Sequence, residues 1–151
     1  FFQGTNTTRV GSIQSTSSAT AYNTSSDYRL KENVTDVTDG ITRVKQLAPK
    51  RFNFIADADT TVDGFLAHEA ATVVPEAVTG TKDAVQVWAE GEELPDGVSV
   101  GDNKLDDNGN TIIDPQGIDQ SKLVPLLTAA LQEAIAKIET LEQRLSDAGI
   151  A

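Results

Sequence analysis

Ser26 and Lys31 stand five positions apart in the run Ser26-Asp27-Tyr28-Arg29-Leu30-Lys31-Glu32-Asn33, in a chain with one histidine and no cysteine. Together they are a nucleophile and a candidate base. A serine hydroxyl attacks poorly until its proton is taken, and a neutral lysine amine can take it. An unperturbed lysine keeps its proton to about pH 10. Chemistry near neutrality therefore asks for burial of the amine or for a like charge beside it. Arg29 supplies a nearby like charge, and burial comes only with surrounding structure. Any reaction at this motif is expected to wait for folding.

The spacing restricts what can position the pair. On a continuous helix the two side chains point about 140° apart, and on a continuous strand they face opposite ways. They meet only if the chain bends between them. The polar run Tyr22-Asn23-Thr24-Ser25-Ser26-Asp27 permits a bend. Chemistry alone does not separate a reactive pair from a solvated lysine beside a turn serine.

Further blocks follow in order. Val62-Asp63-Gly64-Phe65-Leu66-Ala67-His68-Glu69 is one, and Val73-Val74-Pro75-Glu76-Ala77-Val78 and Lys82-Asp83-Ala84-Val85 come after it. Asp119-Gln120-Ser121-Lys122-Leu123-Val124-Pro125-Leu126-Leu127 is the last. With the Ser26–Asn33 octet, these segments resemble the peptidase S74 family, the intramolecular chaperone domains of bacteriophage tail fibres and tailspikes, endosialidases among them. The resemblance implies a homotrimeric folding helper at the C-terminus of a fibre protein, acting on the β-stalk of its own chain. It implies assembly in the bacterial host cytoplasm, then release of the chaperone part by serine–lysine self-cleavage. Ser26 carries over as nucleophile and Lys31 as general base. The cut borders Ser26, with Ser26–Asp27 favoured and Ser25–Ser26 the alternative. Asp27, Arg29, Leu30, Glu32 and Asn33 match the motif without a catalytic role assigned.

Composition bounds the rest. The chain of 151 residues fits one domain with a modest core. Aromatic residues make up 5% and methionine is absent, a thin supply that favours stability shared between subunits. No disulfide framework is available. No apolar run approaches the ~20 residues of a membrane span, and no clustered basic face points to nucleic acid. The formal charge is −11, and between Glu90 and Asp119 nine acidic residues stand with Lys104 as the only base. That segment reads as a solvated protrusion. No cofactor is expected. Metal is not expected either: His68 lacks a second His or Cys partner, and Asp106-Asp107-Asn108-Gly109-Asn110 has its glycine misplaced for a calcium loop.

The fold class expected is α+β: a small mixed domain over 26–151, preceded by the end of a β-structured stalk over 1–25. An amphipathic helix is expected over Asp36–Leu47, capped by Thr38 or Asp36. Arg51–Ile55 reads as a strand, Asp57-Ala58-Asp59 as a turn, and Val62–Ala67 as a second strand. A short helix over His68–Val74, a strand over Ala84–Ala89 and a hairpin at Asn108-Gly109 follow. His68 is expected to be structural, at a strand–helix junction, rather than a third catalytic group. Sequons at Asn6, Asn23 and Asn33 carry little weight without a secretory signal.

A C-terminal helix over about 121–147 is the strongest pattern. Leu131, Ile138 and Leu145 fall at heptad position a, and Leu127, Ala134 and Leu141 at d. Ile135 at e widens the stripe beyond a dimer seam, and the resemblance makes the bundle a trimer. The plainer reading is a helix packed on its own domain. Two other readings remain for the whole chain: a trimerisation cap that never cuts, or the receptor-binding tip of a fibre.

Overall fold

The computed structural model describes residues 2–3 and 9–150. The chain forms two compact units, Phe1–Asp36 and Val37–Ala151. The sequon at Asn6 and residues 4–8 of the expected stalk end lie outside the described residues.

The first unit is a three-stranded antiparallel sheet followed by a bend. Strand β1 (Phe2–Gln3) pairs with β2 (Arg9–Ser15), which pairs with β3 (Thr20–Thr24). The β2–β3 turn is closed by Thr16, whose amide donates to the Ala19 carbonyl at 2.8 Å and whose hydroxyl oxygen accepts from the Ala19 amide at 3.1 Å. Ile13 and Tyr22 face each other across the strands and are 53% and 79% exposed.

The second unit begins with helix α1 (Gly40–Val44), shorter than the Asp36–Leu47 expected. Neither Thr38 nor Asp36 caps it. Instead the carboxylate of Glu133, far along the chain, accepts from the Gly40 and Ile41 amides at 2.5 and 3.2 Å. A carboxylate at a helix N-terminus satisfies free amides and complements the dipole. Gly40 makes the approach possible, because a Cβ there would stand 2.7 Å from the Ala129 carbonyl carbon. Gly40→Ala is expected to cost about 1–3 kcal/mol by overpacking, read as a lower thermal unfolding midpoint. An unchanged midpoint would show that the two helices do not sit this close.

Strands β4 (Lys50–Phe54) and β5 (Asp57–Gly64) form a hairpin. The turn is Ile55-Ala56, with Phe54 paired to Asp57. Asp57–Asp59 therefore lie in a strand, not in the turn expected there. The Asn53 side chain bonds the Ala58 carbonyl at 2.8 Å and holds this register. Helix α2 (Ala67–Ala70) follows, shorter than expected, and a 3-10 turn starts at Pro75. Arg43 of α1 donates to the Val73 carbonyl at 2.8 Å, and Val73, Val74, Ala77, Leu123 and Leu126 form the buried core.

Strand β6 (Val78–Thr79) pairs with β7 (Gly117–Ile118), closing the base of a lobe over residues 80–116. The expected strand Ala84–Ala89 is instead two single bridges, Val85 to Ile113 and Val87 to Asn103. Splitting its partners between two segments prevents a continuous ladder. Lys104 lies over the Trp88 ring at 4.7 Å and bonds Glu92 at 2.6 Å, so the only base between Glu90 and Asp119 is used internally. Asp106 accepts from the Asn108 and Asn110 amides at 2.9 and 2.8 Å, making the expected turn with Gly109 at φ 81°.

Helix α3 spans Leu123–Asp147. Gly149, at φ 70°, ends it: the Gly149 amide reaches the Ser146 carbonyl and the Ile150 amide the Leu145 carbonyl, both at 3.0 Å. The mixture of short antiparallel pairs and helices is α+β.

Candidate active site

The bend required by the Ser26–Lys31 spacing is a single 3-10 turn, Tyr28–Leu30. β3 ends at Thr24, and the Ser25 amide donates to the Val10 carbonyl of β2 at 2.9 Å. Asp27 caps the turn, its side chain accepting from the Arg29 amide at 2.9 Å. The Leu30 amide reaches the Asp27 carbonyl and the Lys31 amide the Tyr28 carbonyl, both at 3.1 Å. Ser26 is thus the link between a strand-tethered residue and the start of a turn.

The turn carries the lysine back over the serine. Lys31 Nζ lies 2.9 Å from Ser26 Oγ, within hydrogen-bond reach. This is the heavy-atom distance a proton transfer between them needs. The residues matched by motif alone also find partners. Arg29 Nε and an Arg29 terminal nitrogen donate to the two Asp27 carboxylate oxygens at 3.0 and 2.6 Å. This fork, with the Arg29 amide adding to it, holds the Asp27 carboxyl below the usual carboxylate range, and it raises the Arg29 guanidinium.

One expectation about the lysine's surroundings differs from what is observed. Arg29 does not act as a free like charge, since its guanidinium is paired with Asp27. Ser26 and Lys31 are both exposed, so burial of the amine is not present within one chain.

Residues 26–79 match the model of the Peptidase_S74 family, described as chaperone of endosialidase. That segment is similar to the Peptidase_S74 family over 54 of the chain's 151 residues. Its first residue is Ser26, and it takes in Lys31, α1, the β4–β5 hairpin, α2 and β6. Lys82–Val85 and Asp119–Leu127, which also resemble the family, lie beyond the matched residues. The comparison with curated proteins finds no match. Within the matched residues, His68 belongs to the second unit. It is half-buried on α2, on the wall of a cleft of about 510 Å³ shared with Phe52, Phe65 and Ile118. Among the described residues, no group of three or more His, Cys, Asp or Glu is arranged to hold a metal ion.

The six heptad positions lie on a different side of α3 from the one its own domain covers. Leu123, Leu126 and Ala129 are buried, whereas Leu127, Leu131, Ile138, Leu141 and Leu145 are 44–62% exposed. At about 100° per residue the two stripes are roughly a quarter turn apart. Ala134 is half-buried. The plainer reading of the helix therefore describes one of its faces and leaves the heptad face uncovered. Glu133, whose carboxylate caps α1, carries no signal in the sequence that would mark it for this role. Its partner lies 93 positions away.

Proposed function

We propose that this chain is a self-cleaving intramolecular chaperone for a bacteriophage tail fibre or tailspike. It helps the β-stalk before it to fold and trimerise, in the host cytoplasm, then cuts itself free beside Ser26. The observation that carries this reading is the 2.9 Å contact between Lys31 Nζ and Ser26 Oγ at the start of the residues matched to the Peptidase_S74 family.

Lys31 takes the Ser26 hydroxyl proton as Oγ attacks the carbonyl carbon of the bond bordering it. An Oγ–C bond forms, the C–N bond breaks, and the proton passes to the departing amine. Water then hydrolyses the ester and restores the serine hydroxyl. The favoured bond is Ser26–Asp27, with Ser25–Ser26 as the alternative. Each chain delivers its own bond, so the reaction runs once.

Assembly gates the step. Within one chain the pair faces water. Covering the pair in a trimer would desolvate the amine and favour its neutral form. The uncovered apolar stripe of α3 supports such a trimer, and the exposed Ile13–Tyr22 pair supports a stalk end completed by neighbouring chains.

Ser26→Ala is the test. The full chain is expected to mature into a fragment beginning at Asp27 or Ser26, seen by intact mass, and the mutant to persist uncut with assembly unchanged. The fragment mass identifies the bond. Continued cutting of the same bond in the mutant would pass the role to Ser25 or discard the mechanism.

A further inference from the structure

The contact between Ser26 and Lys31 is not made by either residue's own backbone preference. Two side chains five positions apart meet here only because the intervening residues close a 3-10 turn. A lone 3-10 turn is poorly stabilised by its own hydrogen bonds. Something must hold this one, and all the side-chain bonds that do so within it converge on Asp27. Its carboxylate accepts the Arg29 amide at 2.9 Å, Arg29 Nε at 3.0 Å and the Arg29 terminal nitrogen at 2.6 Å. Its backbone carbonyl accepts the Leu30 amide.

We infer that Asp27 and Arg29 are positioning residues for the cleavage: their fork fixes the turn that delivers Lys31 Nζ to Ser26 Oγ. The inference rests on the serine–lysine reading above. A bidentate carboxylate–guanidinium pair fixes geometry as well as adding strength. Here it spans only two positions, so it clamps the backbone between Ser26 and Lys31. The two side chains hydrogen-bond each other and neither bonds Ser26 Oγ or Lys31 Nζ, so the fork acts through the turn.

The direction of the Asp27 shift sets the pH range in which the clamp is whole. A carboxylate whose folded pKa is depressed contributes above its unfolded value, and the contribution is lost as pH falls through the lowered one. From mild acid upward the fork is fully ionised. Any change of cleavage rate across the neutral and alkaline range therefore reports another group than Asp27.

The experiment measures single-turnover cleavage of the full chain by intact mass across neutral and alkaline pH. It compares the parent with Asp27→Ala, Asp27→Asn, Arg29→Ala, Arg29→Lys, Lys31→Ala and the double variant Asp27→Ala with Arg29→Ala. A misplacement of about 1 Å costs on the order of a hundredfold in rate, so Asp27→Ala is expected to slow cleavage by about that factor. Asp27→Asn keeps an acceptor for the Arg29 amide but not the fork, and is expected to fall between. Arg29→Lys, which keeps a charged partner, is expected to recover part of the rate lost in Arg29→Ala. In the double variant, which removes both charges of the pair and leaves neither free beside the lysine, the midpoint of the pH–rate curve is expected to stay where the parent has it, because positioning changes how often the amine reaches the serine and not its basicity.

A midpoint that moves in the double variant, where no unpaired charge is left behind, overturns positioning in favour of a direct electrostatic role. Parent-like rates in Asp27→Ala and Arg29→Ala overturn the inference while leaving the dyad intact, provided that Lys31→Ala is inert. Normal cleavage in Lys31→Ala sinks the underlying reading instead. If Asp27→Ala does not assemble, Arg29→Ala decides between these outcomes, since its side chain is 73% exposed and can be removed without opening a cavity.

Discussion

Lys31→Arg is expected to stop self-cleavage as completely as Lys31→Ala does, with the assembled protein otherwise intact. Arginine keeps the positive charge and could still donate to Ser26 Oγ, but it does not deprotonate in the accessible pH range. A lysine acting as base works only in its neutral form. The parent rate should therefore rise with pH and level off above the amine's working value, whereas the arginine variant should stay flat at the background rate. Removing a general base costs about a hundredfold to ten-thousandfold, which for a reaction run once per chain means an uncut product over the whole assay. The measurement is intact mass against time over several pH values. Normal cleavage in the arginine variant would remove Lys31 from the mechanism and leave Ser26 beside a structural lysine.

Replacing Leu131 and Ile138 together with Asp should convert the proposed trimer to monomers while the second unit stays folded. The two residues are 62% and 54% exposed in a single chain, so the substitutions cost the isolated domain little. In a bundle they would bury unpaired carboxylates at successive a layers, once in every subunit, at several kcal/mol for each ion. The local fold is insulated because Leu123, Leu126 and Ala129 hold α3 to its own domain along another stripe. Light scattering reads the mass and circular dichroism the retained fold. Persistent trimers would mean that the heptad stripe is not the seam. Monomers that also fail to cut would tie the exposed Ser26–Lys31 pair to assembly.

How much of this was legible in the sequence depended on the range of the interactions. The heptad on α3 was readable because each position repeats a local rule, and Gly149 ended the helix as glycine does after a last turn. What the pattern did not reveal was the second stripe through Leu123, Leu126 and Ala129, since the core it serves is assembled from Val73, Val74 and Ala77. The capping of α1 went to Glu133 rather than to Asp36 or Thr38 because tertiary packing brought a better-placed carboxylate. In the β4–β5 hairpin, turn-prone Asp57-Ala58-Asp59 misled: cross-strand pairing of Phe52 with Val62 sets the register and pushes the turn back to Ile55-Ala56. At the site itself, the need for a bend between Ser26 and Lys31 followed from spacing alone. The Asp27–Arg29 fork did not, because side chains two positions apart meet only once the turn has formed.

The pairing of β6 with β7 has a bearing on how such proteins can diversify. Val78 faces Ile118 and Thr79 faces Gly117, so the chain leaves the domain and returns to it at neighbouring points. Whatever lies between them is a detour with a fixed doorway. The Peptidase_S74 match ends at Thr79, on the threshold of that doorway. An insertion whose two ends already meet demands nothing of its host beyond the doorway, so loops at such points accept exchange readily. Residues 80–116 can thus be read as cargo on a separate carrier, and foreign sequence with closely spaced ends could be spliced in there while the helices and the Ser26–Lys31 turn remain as they are.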